Sequence, residues 1–154
     1  MELRARVMAS IKQAMKDKAT ARLSTLRLIS AAIKDRDIAA RAEGNDDGVD
    51  ETEVLAILGK MVKQRRESAR TYEEGNRLDL AERELAEIEV IEEYLPKALS
   101  SAEVDKAVAD AVSEVGAESI RDMGRVMGAL KAKYTGQMDF GAVGPKVKDR
   151  LSAG

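Results

Sequence analysis

Apolar residues in this chain recur at intervals of three and four with polar residues between them, the period of helices that lie on a core. Leu3, Val7, Met8, Ile11 and Met15 predict a first helix over 3–18, with Thr20 placed to cap the next. Leu23, Leu26, Ile29, Ala32 and Ile33 form one face of a second helix over 21–43, and the acidic, glycine-containing GNDDGVD at 44–50 ends it as a loop. Asp50 with Glu53 has a capping pattern that opens a third helix, buried through Val54, Leu55, Leu58, Met61, Val62 and Tyr72 and closed by Gly75. Ala81, Leu85, Ile88 and Ile91 mark a fourth over 78–94. Pro96 then disfavours helical conformation at Leu95 and sets a boundary.

Beyond that boundary, Ser100 and Glu103 form a capping box ahead of Val104, Val108 and Val112, and Gly116 follows the last periodic residue. Ser119 is placed to cap a further helix that carries Met123, Val126, Met127, Leu130 and Tyr134 on one side and ends at Gly136. Asp139 can cap a last segment through Val143, Val147 and Leu151, which Gly144-Pro145 either kinks or restarts at Pro145. The pattern predicts an all-α fold: an N-terminal bundle of about four helices over 1–95 and a small three-helix domain over 96–154.

Composition narrows the chemistry. Cysteine and histidine are both absent from the 154 residues, which excludes disulfides, thiolate nucleophiles, zinc-finger sites and any histidine base. Aromatics are only 3% of the chain, against recognition by stacking bases on aromatic platforms. Glu82, Glu84, Glu87, Glu89, Glu92 and Glu93 recur at helical spacing among apolar residues, a solvated face rather than paired catalytic carboxylates. The expectation is no catalytic residue, no metal and no cofactor. Residues 1–18 lack the apolar stretch of a secretory signal, and no run approaches the roughly 20 apolar residues of a membrane span, so the sequence reads as a cytoplasmic protein with no membrane partner.

Charge is unevenly distributed. The whole chain carries −2, yet residues 121–150 hold seven basic residues against three acidic ones, a local +4. Within that segment Gly124 and Gly128 stand inside a predicted helix, where each loses roughly 1 kcal/mol relative to alanine. They fall opposite the apolar stripe, with Arg121, Arg125 and Ala132. A bare backbone flanked by arginines suits close approach of a phosphate backbone; the other reading is two small residues packed against a neighbouring helix. Lys131 and Lys133 also complement the helix dipole near the C-terminus, whereas Arg121 and Arg125 near the N-terminus have no such explanation. The candidate RNA-binding set is Arg121, Gly124, Arg125, Gly128, Lys131, Lys133, Lys146 and Lys148. A second basic candidate is Lys60, Lys63 and Arg66, though Glu67, Glu73 and Glu74 following closely favour a salt-bridged surface. Arg65 lies near the Met61-Val62 stripe, in place for an ion pair to the fourth helix.

Asp122-Met123-Gly124-Arg125-Val126-Met127-Gly128, Leu130-Lys131, Gly136, Asp139, and Val143 with Val147 resemble the GatB/YqeY domain, the C-terminal tail of the B subunit of aspartyl/glutamyl-tRNA amidotransferase. LSTLRLISAAIKDRDI at 23–38, KMVKQRRESARTYEEGNR at 60–77 and EEYLPKALS at 92–100 resemble the YqeY family of small proteins. The resemblance covers nearly the whole chain. It implies a two-part helical fold and an association with tRNA or other structured RNA, because the amidotransferase tail holds tRNA while other domains activate and amidate the aminoacyl group. No serine/lysine amidase signature and no GxxxxGK[ST] loop is present. The resemblance therefore implies carbon-nitrogen ligase activity, with glutamine as amido-N-donor, only by association and not for this chain alone. The alternative is a protein-interaction adaptor using the acidic N-terminal region, with a protein partner in aminoacyl-tRNA metabolism.

Overall fold

The computed structural model describes residues 2–153 and contains seven α-helices and no strand among them. They are α1 (Leu3–Lys16), α2 (Thr20–Ala42), α3 (Glu51–Glu74), α4 (Leu78–Glu92), α5 (Ser101–Val115), α6 (Met123–Tyr134) and α7 (Phe140–Ala153), with a 3-10 turn at Ile120–Asp122 ahead of α6. The chain divides into two compact units, residues 1–95 and 96–154.

In the first unit, α3 and α4 pack along each other, and α2 lies on α4 and α1. Its core is built from Val7 of α1, Leu26 and Ile29 of α2, Val54 and Leu58 of α3, and Ile88 and Ile91 of α4, all buried. Asp50 caps α3 by accepting from the Glu53 amide at 2.9 Å. Gly75 closes α3 as the sequence pattern predicts, and the left-handed residue is the next one, Asn76, at φ 58°. The Arg77 amide returns to the Tyr72 carbonyl at 2.7 Å, which ties off the orphan end of the helix.

Three expectations are corrected in this unit. Met8 and Met15 are exposed, and Ala14 takes the buried place expected of Met15, because the face that meets α2 runs through Leu3, Val7 and Ala14. Leu85 is exposed as well, since α4 turns Ala81 and Ile88 inward. Thr20 is the first residue of α2 rather than its cap; the chain enters through Lys18, in the left-handed region at φ 54°, and Ala19.

The second unit closes around Val104 and Val108 of α5, Val126 and Leu130 of α6, and Val143, Val147 and Leu151 of α7. Ser100 and Glu103 form the reciprocal capping box at the head of α5, and Gly116 ends that helix at φ 64°. The last helix neither breaks nor restarts at Gly144-Pro145. It begins at Phe140, where the Asp139 carboxylate accepts from the Gly141 amide at 2.9 Å, and runs through Pro145. Proline lacks the N–H that would bond the Gly141 carbonyl, and both residues are exposed, so water can satisfy the freed oxygen. The α7 core contacts hold the helix together on its other side.

Candidate nucleic-acid interface

The α6 helix buries Val126 and Leu130, half-buries Met123, Met127 and Tyr134, and leaves Gly124, Arg125, Gly128, Lys131 and Ala132 exposed. A Cβ added at Gly124 or Gly128 would meet nothing within 4 Å, and neither glycine has a positive φ. Neither residue is glycine for packing within its own unit, nor for a backbone conformation that side chains resist. Gly144 shows the contrast: it is buried in α7, and a Cβ there would stand 3.8 Å from the Met123 Cε. The small residue at a helix contact in this unit is Gly144, and the two glycines of α6 are bare.

At about 100° per residue, Gly124, Gly128 and Lys131 fall on one strip of the α6 surface, with Arg125 and Ala132 beside it. Arg121 lies exposed in the 3-10 turn just ahead of the helix. Five of the eight candidate residues therefore belong to one helix face and its leading turn. Lys133 is turned away, its Nζ 5.5 Å from the centre of the Tyr134 ring. Lys146 donates to Asp105 of α5 at 3.2 Å, and Lys148, two residues on, points to a different side of α7. Those three do not join the glycine strip.

Arg125 has a role that the sequence pattern did not reveal. Its guanidinium donates to the carbonyl of Val115, the last residue of α5, and to Asp122 Oδ1 at 3.2 Å. Positive charge that looked misplaced at the start of α6 in fact serves the negative end of α5. Asp122 Oδ2 in turn accepts from the amides of Glu118 and Ser119 at 3.0 and 3.3 Å. These backbone donors, with Arg125 adding to them, hold the Asp122 carboxyl below its ordinary pKa. The side chain of Arg125 remains 60% exposed, so this clasp lies at the surface beside the glycines.

The second basic cluster lies on α3 in the other unit. Arg66 pairs with Glu92 at 3.5 Å, Lys60 and Lys63 are exposed, and Arg65 donates to Glu87 of α4 at 3.0 Å and to the Met61 carbonyl at 3.2 Å. The inward pair ties α3 to α4, while Arg66 is one partner of a surface ion pair.

A profile of the YqeY family, described as Yqey-like protein, matches residues 4–151. The chain belongs to the YqeY-like family. Among curated proteins, it is 36% identical over 107 residues to altered inheritance of mitochondria protein 41, mitochondrial, of Lachancea thermotolerans, covering 68% of this chain and 55% of the relative. The protein of the same name from Clavispora lusitaniae is 40% identical over 85 residues, covering 55% and 46%. That from Pyrenophora tritici-repentis is 26% identical over 151 residues, covering 96% and 80%. The chain spans about half the length of the first two relatives.

These names correct the cytoplasmic placement expected from the sequence, since they point to a mitochondrial setting. The composition of residues 1–18, on which that expectation rested, does not distinguish cytoplasm from an organelle's interior. No helix among the described residues is long and apolar enough to cross a membrane.

Proposed function

We propose that residues 96–154 of this YqeY-like protein bind the phosphate backbone of structured RNA, tRNA foremost, through the exposed face of α6, and that the protein acts as a non-catalytic accessory. The observation that carries this reading is the pair of open glycines. Gly124 and Gly128 each sacrifice roughly 1 kcal/mol of helix stability without serving a packing contact within their unit or a special turn. What they provide is a stretch of helix on which a bulky anion can lie close, with Arg121, Arg125 and Lys131 around it.

Phosphate contacts of this kind position a protein on its ligand without reading sequence, which fits recognition of a folded RNA by shape. The scarcity of aromatic residues supports the same mode, because base stacking has few platforms here. The likeness of the α6 segment to the amidotransferase tail selects tRNA as the first RNA to test. Binding of labelled total tRNA to the purified protein, measured at several salt concentrations beside a duplex DNA control, tests the proposal. A salt-sensitive preference for tRNA is expected; no binding at low salt removes the assignment.

A further inference from the structure

The first unit carries two exposed surfaces that complement each other. Between α1 and α2 lies an open groove of about 500 Å³. Val7 and Ile33 form its buried floor, Met8 and Ile38 stand in its walls at 47% and 60% exposure, and Lys34 and Arg41 add positive charge. The one carboxylate in the lining, Asp37, is already held by Arg4 with two contacts of 2.6 and 2.7 Å, so it does little to offset those cations. From Ser30 to Arg41 the groove follows α2 for about 16 Å, three helical turns.

The second surface is on α4. Leu78 and Leu85 are 57% and 45% exposed, seven residues apart and so on one face. Glu82 and Glu89, four residues after each leucine, continue the same strip and are exposed. From Leu78 to Glu89 this strip also covers about 16 Å, with two large apolar anchors and two carboxylates. An amphipathic helix presenting anchors at this spacing is the form that fits an apolar groove between helices.

We propose that α4 of a second copy of this chain docks in the α1–α2 groove, its Leu78 and Leu85 against Met8 and Ile38 and its Glu82 and Glu89 toward Lys34 and Arg41. Length, apolar spacing and charge sign agree between the two surfaces. Each copy has one groove and one strip, so reciprocal docking closes a two-fold pair, and one-way docking builds a chain of copies. One helix in one groove is a small contact, which places it among weak, concentration-dependent associations.

Sedimentation equilibrium of the full chain from about 5 to 500 µM tests this. Self-association is expected, and Ile38→Glu in the groove or Leu85→Glu on the strip should each weaken it at least tenfold. Both side chains are exposed, and circular dichroism verifies that the variants fold. A charge exchange supplies the stricter arm. Lys34→Glu/Arg41→Glu and Glu82→Lys/Glu89→Lys each place like charges at the contact and should associate weakly alone. Mixed, the two variants restore opposite charges at both possible contacts and should pair. A monomer throughout the range, association indifferent to Ile38 and Leu85, or no gain on mixing would overturn the proposal; the first of these leaves the groove to a helix from a different protein.

Discussion

The Arg4 guanidinium meets the Asp37 carboxylate edge to edge, Nη1 to Oδ2 at 2.7 Å and Nη2 to Oδ1 at 2.6 Å. The same pair secures the 44–50 loop: Arg4 Nη2 donates to the Val49 carbonyl at 2.9 Å, and Asp37 Oδ1 accepts from the Val49 amide at 2.9 Å. One bidentate ion pair thus joins α1 to α2 and fixes the chain just ahead of α3.

Its pH dependence has a definite sign. Arg4 first, then the Val49 amide, lowers the Asp37 pKa from 3.8 to about 2. A depressed carboxylate pKa contributes stability that is fully present above its unfolded value and is lost as pH falls through the folded value. The native protein should therefore lose about 2 kcal/mol from this group between pH 4 and pH 2. Asp37→Asn should remove that component, so urea unfolding of the two proteins should converge toward pH 2; a constant difference across the range would rule out the pair as its source.

Gly48 sits against the same ion pair at φ +85°, where a Cβ would stand 2.9 Å from Asp37 Oδ1 and 3.3 Å from Arg4 Nη2. Both atoms are held by each other and by Val49, and neither can withdraw without loosening the clasp. Gly48→Ala should destabilise the first unit by about 2 kcal/mol, combining left-handed strain with displacement of the pair. An unchanged denaturation midpoint would contradict this. Gly44 provides the control, with a positive φ but no neighbour within 4 Å, so Gly44→Ala should cost only the conformational part.

Arg121 and Arg125 should separate in their effects. Arg121→Ala should weaken tRNA binding and flatten its salt dependence while leaving stability within about 0.5 kcal/mol. Arg125→Ala also removes the donor to the Val115 carbonyl and should destabilise the second unit by about 1 kcal/mol. Thermal unfolding beside binding isotherms makes the comparison. Equal stability losses would mean that the α5 clasp has no energetic consequence.

Gly144 should respond oppositely to small and large replacements. The nearest atom to an added Cβ is the Met123 Cε at 3.8 Å, an ordinary contact, so Gly144→Ala should stabilise α7 by about 0.5–1 kcal/mol through helix propensity. Gly144→Phe overfills the same buried place and should destabilise by about 1–3 kcal/mol. Denaturant midpoints of the two variants should move in opposite directions.

Much of this was written in local sequence. The capping box at Ser100 and Glu103 and the Asp50 cap need only neighbouring residues, and the pattern opposite Met123, Val126 and Leu130 placed Gly124 and Gly128 outward. What depended on remote partners was not legible. Only the direction from which α2 packs on α1 decides that Ala14 is buried and Met15 exposed. Nothing around Arg125 names the Val115 carbonyl ten residues earlier as its acceptor. The passage of α7 through Pro145 rests on core contacts at Val143, Val147 and Leu151, which outweigh the single backbone hydrogen bond that proline removes.

The most direct measurement of the proposed RNA interface pairs stability with affinity in one variant, Gly124→Leu/Gly128→Leu. Leucine is a good helix former and both positions are open, so the second unit should gain about 1–2 kcal/mol in stability. The same side chains cover the face on which a phosphate backbone would lie, so tRNA affinity should fall about tenfold or more at low salt. A more stable protein that binds tRNA less well is the predicted result. A more stable protein that binds tRNA as tightly as before would contradict the account.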